Sequence, residues 1–201
     1  MPNCVRNSIS QFQMVSQDPY DQLCWAAVAL SVDRLYDSAS TLELCDVLDK
    51  TPGCPAECCT HLSSPQCNHI HLLLPALQAL GVASPYALSE DGPDPTDPGS
   101  MDAKWNEIKS QIDRGRVVCV GVSWSTGGKH YVAIWGYEDC DDGTRTLYVQ
   151  DPQRPLHQEL QTVRWHPPTL SPHQCQEIVL SSRAHHPQSH LQPWRTEQRA
   201  R

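Results

Sequence analysis

The chain contains no run of eighteen apolar residues, so no segment of it reads as a membrane-spanning helix. It is also short of positive charge. Fifteen lysines and arginines face 23 aspartates and glutamates, a net charge of −8, and that balance argues against a general nucleic-acid binder. The few basic groups are unevenly placed. Arg183, Arg195, Arg199 and Arg201 lie in the last nineteen residues with only Glu197 opposing them, which leaves eleven basic against 22 acidic side chains elsewhere. An acidic body with a weakly basic tail suits either steering of cationic partners or an ordinary solvated surface. The opening Met1-Pro2-Asn3-Cys4-Val5-Arg6-Asn7 lacks the basic start and continuous apolar core of a secretory signal, and no segment repeats. What remains is 201 residues, 39% of them hydrophobic, enough for one soluble domain with a core. We place that domain at residues 1–182. The stretch 183–201, rich in His, Gln, Pro and Arg with little to bury, reads as a disordered tail.

Ten cysteines are present, and one stands apart from the rest. In Asp21-Gln22-Leu23-Cys24-Trp25-Ala26-Ala27-Val28, Cys24 sits where a turn gives way to an apolar helical stretch. Unsatisfied backbone N–H groups and the positive end of the helix dipole favour thiolate over thiol at such a position. About a hundred residues on, Gly128-Lys129-His130-Tyr131-Val132 puts a histidine at the mouth of a strand. Val149-Gln150-Asp151-Pro152 then ends the next strand with a carboxylate. Cysteine, histidine and aspartate in this order are the parts of an acyl-transfer site. Taken singly, each also fits a bland role: a buried small hydrophobe, a strand-end histidine, an Asp-Pro turn. His61, His69, His71, His157 and His173 have no comparable context and read as surface or packing residues.

Residues 1–20 read as an extended lead-in with a turn at 15–20. A helix follows over 24–36, with Trp25, Val28, Ala29, Val32, Leu35 and Tyr36 on its buried face. A second is expected from about 40 to 48, capped by Ser40 or Thr41. An irregular stretch with three prolines leads to a short helix, 69–80, ended by Gly81. Prolines 85, 93, 95 and 98 make 84–100 a surface loop. A helix restarts after Ser100 with Trp105, Ile108 and Ile112 on one face, stopped by Gly115. The period then becomes strand-like at 117–124, 131–137, 146–149, 158–165 and 176–180, divided by Gly127-Gly128 and Asp141-Asp142-Gly143. Helices first and an antiparallel sheet second mean α+β.

Cys54, Cys58, Cys59 and Cys67 fall in the irregular stretch, with Cys45 a candidate partner. They suit structural disulfides, a zinc site with His69 and His71, or free thiols. The spacing matches no common zinc finger, and adjacent cysteines rarely ligate one metal together. With Cys24 set aside nine cysteines remain, so intramolecular pairing cannot be complete.

Together, Cys24-Trp25-Ala26-Ala27 opening a helix, the helix and turn at 108–115 before a Val-rich strand, Gly128-Lys129-His130-Tyr131-Val132 and Val149-Gln150-Asp151-Pro152 resemble the papain-like cysteine peptidases. Among these they are most similar to a compact bacterial branch that includes bacteriocin-leader peptidase domains and an effector protease of plant pathogens. The likeness runs over roughly residues 12–180 with the motif order kept. It implies a papain-like α+β fold with an N-terminal helical lobe and a C-terminal antiparallel β-sheet lobe. It also implies Cys24 as nucleophile, His130 as general base and acid, and Asp151 as the group that orients His130. The family's oxyanion hole pairs the backbone N–H of the cysteine with a glutamine about six residues before it. Asp18 holds that position here, so the resemblance points to Gln17 with a turn one residue longer. Members with a similar Cys-Cys and Cys-Asn segment favour a structural role for the cysteine cluster.

The resulting expectation is a monomeric peptidase that needs no cofactor or metal and acts on a peptide or protein substrate at a peptide or isopeptide bond. Acyl transfer or deamidation through the same thioester is an alternative. A catalytically silent peptide-binding module and a zinc-stabilised interaction domain are others. The cysteine content suggests an oxidising compartment, reconciled with the N-terminus by secretion without a classical signal.

Overall fold

The computed structural model describes residues 2–87, 97–123, 129–153, 161–164 and 177–181. The expected tail, His157, His173, Cys175, the Gly127-Gly128 turn and the centre of the proline-rich loop lie outside these residues. Within them the chain runs β1 (Cys4–Ser8), α1 (Cys24–Tyr36), α2 (Leu44–Lys50), a 3-10 turn (Cys58–Thr60), α3 (Leu73–Ala79), β2 (Ala83–Ala87), α4 (Pro98–Asp113), β3 (Val118–Ser123), β4 (Lys129–Cys140), β5 (Arg145–Gln150), β6 (Gln161–Arg164) and β7 (Glu177–Ser181). The fold is α+β, as expected.

Helix α1 has the expected bounds but not the expected environment. Every residue from Cys24 to Asp33 is buried, rather than one face alone. A helix that is apolar all round belongs inside a core, and the small residues Ala26, Ala27 and Ala29 let β4, α2 and α3 pack close to it. No side-chain cap is present at Leu23. A cap contributes about 0.5–2 kcal/mol, whereas each fully buried Leu or Val contributes about 1.5–3 kcal/mol. Burial, not capping, therefore sets where α1 forms.

Other boundaries shift for local reasons. Helix α2 starts at Leu44 because Glu43 and Asp46 form a reciprocal capping box, which displaces the start expected at Ser40 or Thr41. Helix α4 starts at Pro98, with the Asp97 side chain accepting from Gly99 N at 2.9 Å. Its Trp105, Ile108 and Ile112 are buried as expected. Gly81 and Gly115 end α3 and α4 with φ of +68° and +72°, a region glycine enters without a Cβ clash.

All strand pairings are antiparallel, in the order β2-β7-β3-β4-β5-β6. The expectation that 84–100 is all loop is corrected at both ends. Residues 83–87 pair with β7 despite Pro85, which is tolerated on an edge strand. Residues 98–100 are already helical, because a proline at the first turn costs a helix nothing. The lead-in likewise contains β1, which pairs with the second half of β4, Ser8 opposite Gly136 and Cys4 opposite Cys140. The first half of β4 pairs with β3. Thus β1 and β3 lie end to end along one edge of the long strand, while β5 lies along the other.

The structure joins Cys45 to Cys59 and Cys58 to Cys67, each with sulfurs 2.07 Å apart, and Cys4 to Cys140. The adjacent Cys58 and Cys59 thus serve different partners. Among the described residues Cys24, Cys54 and Cys119 carry free thiols. Cys54 is therefore separated from the cluster to which its spacing assigned it, and the pair Cys4–Cys140 had no signal in the sequence reading.

Candidate active site

Cys24 is the first residue of α1, and His130 is the second residue of β4. Asp151 follows the last residue of β5. The β4–β5 register sets Ala133 opposite Gln150, which makes His130 and Asp151 diagonal neighbours within side-chain reach. His130 Nε2 lies 2.8 Å from Asp151 Oδ1. The same carboxylate oxygen accepts from Gln153 N at 2.8 Å, a turn-closing bond that fixes its direction. The His130 side chain also hydrogen-bonds the Cys24 side chain. With Nε2 facing Asp151, Nδ1 is the ring nitrogen left for the sulfur.

His130 is buried, with 6% exposure. Burial is the largest influence on its proton and works against the imidazolium. The hydrogen bonds and charges of Asp151 and Cys24 together outweigh burial and push His130 up to about 9. An opposite charge on either side of the ring favours its protonated form.

Gln17 is wholly buried, whereas Asp18 is exposed. Its backbone N–H donates to Pro152 O at 2.9 Å, directly beside Asp151. A turn closed by Tyr20 N donating to Gln17 O, with a cis Asp18–Pro19 bond, carries the chain on toward Cys24. The Gln17 amide donates one hydrogen to Tyr20 O at 2.9 Å, and its Oε1 is a buried oxygen with no hydrogen-bond partner among the described residues. A second link joins the segment to the β5 end, Met14 N donating to the Gln150 side chain at 2.9 Å. Because Leu23 offers no side-chain acceptor, the first-turn N–H groups of Cys24, Trp25 and Ala26 find no acceptor among the described residues. Backbone donors left open at a helix start suit a developing negative charge.

Next to Cys24, Trp25 stacks obliquely on His71 with ring centroids 5.2 Å apart, and its indole N–H donates to His69 O at 3.0 Å. These two histidines are packing residues, as their sequence context indicated. His61 is exposed. Among the described residues, the one metal-ligand grouping in the cysteine-rich segment is Cys45, Asp46 and Cys59, and its two sulfurs are bonded to each other. A set with both thiolates consumed does not suit zinc.

Residues 67–166 match the Peptidase_C39 like family. The matched segment starts after Cys24 and holds both His130 and Asp151. No curated protein matches the chain. The match supports a cysteine peptidase at the level of the family. No helix among the described residues is long and apolar enough to cross a membrane.

Proposed function

We propose that the protein is a cysteine peptidase that hydrolyses a peptide or isopeptide bond through a thioester on Cys24. The observation that carries this reading is His130 held between Cys24 and Asp151. His130 takes the thiol proton on Nδ1, giving a thiolate and an imidazolium. The thiolate attacks the carbonyl carbon, and the negative charge moves to the carbonyl oxygen. As the intermediate collapses, the imidazolium returns the proton to the leaving nitrogen, the C–N bond breaks and the thioester remains. Water, deprotonated by His130, then releases the acid and restores the thiol. Asp151 accepts from Nε2–H, selects the productive tautomer and stabilises the imidazolium. The Cys24 backbone N–H and the Gln17 side chain are the oxyanion donors in this reading. Loss of one such donor typically costs about 2.7–4 kcal/mol in the transition state.

The three sulfur pairs are read as structural disulfides of a protein that works in an oxidising compartment. Acyl transfer to a nucleophile other than water shares every step up to the thioester, and product mass separates the two outcomes.

The test is iodoacetamide alkylation mapped to Cys24. A fast reaction already at about pH 6 that collapses in His130→Ala is expected, together with no peptide turnover by a folded Cys24→Ala variant. A rate that rises only near about pH 8.5 in both proteins, as for an ordinary thiol, would sink the reading. Cys119 is the internal control, since it is wholly buried and pushed up to about 12 by that burial.

A further inference from the structure

The turn that leads into Cys24 is held from outside by a segment some 45 residues further along the chain. The Asn68 side chain makes two contacts with it. Its Oδ1 accepts from Gln22 N at 3.1 Å, and its Nδ2 donates to Asp21 Oδ1 at 2.8 Å. One residue on, His69 O accepts from the Trp25 indole at 3.0 Å. The segment is itself anchored from behind. Cys67 is bonded to Cys58, Cys58 N donates to Asp49 of α2 at 3.0 Å, and both Cys67 N and Asn68 N donate to Ser64 O.

We propose that Asn68 is a positioning residue for the reaction at Cys24: it fixes the Asp21–Leu23 turn, and so the direction of the Cys24 backbone N–H, with the Cys58–Cys67 bond as its anchor. The inference rests on the peptidase reading above. The Asn68 side chain hydrogen-bonds the Asp21–Gln22 turn, so it acts through the turn and not on the thiolate pair. It therefore bears on steps that place charge on a carbonyl oxygen. Alkylation by iodoacetamide creates no such charge and is insensitive to it. A misplaced donor weakens the transition state far more than substrate binding.

The experiment compares two reactions of Cys24 in the full chain. One is iodoacetamide alkylation. The other is acylation by p-nitrophenyl acetate, in which a C–S bond forms, the ester C–O bond breaks and p-nitrophenolate leaves. For Asn68→Ala the acylation rate is expected to fall about ten- to hundredfold, while alkylation and its pH profile stay within about twofold. Asn68→Asp keeps the acceptor for Gln22 N but faces the Asp21 carboxylate with a second one, and is expected to be impaired. Adding Asp21→Asn to it restores a donor–acceptor pair with roles exchanged, and is expected to recover acylation to within about threefold of wild type. A general loss of structure would slow both reactions and would not be rescued.

Unchanged acylation in folded Asn68→Ala overturns the inference and leaves the peptidase reading standing. A parallel fall in both reactions, or failure of the double variant to recover, overturns it as well. A wild type that alkylates slowly at about pH 6 and gives no p-nitrophenol burst overturns both readings together.

Discussion

An imidazole that keeps its proton up to about pH 9 is unusual, and here the reason is local. His130 has a carboxylate on Nε2 and a sulfur on its other side, so both faces of the ring reward the positive charge that burial alone would remove. The consequence for stability has a definite sign. The folded value lies above the ordinary histidine value, so the contribution is complete below about pH 6.5 and is lost as pH rises through about 9. Thermal melts of wild type should therefore show stability falling across that window. His130→Ala should show a shallower fall, because the linked proton is gone. Parallel curves for the two proteins would remove the ion pair from this account. At this scale much of the site was legible in the sequence. Cys24, His130 and Asp151 each stood at an element boundary, where side chains of different elements converge, and the structure brings them together. The Gln17 neighbourhood was less legible, because its position depends on how the turn at 17–20 folds back against Pro152, and residue spacing does not carry that information. Asn68 was not legible at all. Its role depends on contact with a turn 46 residues away, and an Asn after a Cys has no local signature for that.

At the scale of elements, the long strand β4 organises the site, since it presents His130 at one end and binds β1 at the other. Its burial does not alternate. Residues 130, 131, 133, 134, 136 and 137 are all buried; both α1 and α4 pack against the strand, and its pairing with β5 slips by one residue between Ile134 and Gly136. A bulge of this kind re-aims the side chains on either side of it; period-two counting found the strand but undersized it at both ends. Strand β1 escaped notice for a related reason. Its Arg6 and Asn7 bury little, and its pairing depends on β4 rather than on its own hydrophobicity. The junction has a specific weak point in Gly136. A Cβ there would lie 2.7 Å from the Tyr148 ring and 2.8 Å from the backbone oxygen of Asn7. The ring has some freedom to shift, but the β1 backbone has little. Gly136→Ala should thus destabilise the protein by about 1–3 kcal/mol, the usual cost of overpacking, measured as a lower urea midpoint. An unchanged midpoint would mean that β1 moves aside freely and is not part of the cooperative core.

For the molecule as a whole, the sulfur pairs divide into two mechanical systems. Cys4–Cys140 closes a loop across 136 residues of sequence and ties β1 to the far half of β4, away from the His130 end. Cys45–Cys59 and Cys58–Cys67 close short loops, with separations of 14 and 9, and brace the segment that reaches Asn68. Chain-entropy arguments assign the larger stabilisation to the longer loop, within a range of about 2–5 kcal/mol per bond. Function should rank them the other way. Replacing Cys4 and Cys140 together by serine should lower the urea midpoint, yet leave the chemistry of Cys24 in the folded fraction unchanged, because β1 pairs with the half of β4 remote from His130. Replacing Cys58 and Cys67 together should cost less stability but slow acylation of Cys24 relative to its alkylation, as loss of Asn68 itself is expected to do. Urea midpoints with the two rates, measured side by side, check both halves of this ranking. If the Cys4–Cys140 variant were the one with slowed acylation, the site would be governed by the rigidity of the whole sheet rather than by the braced segment beside the nucleophile.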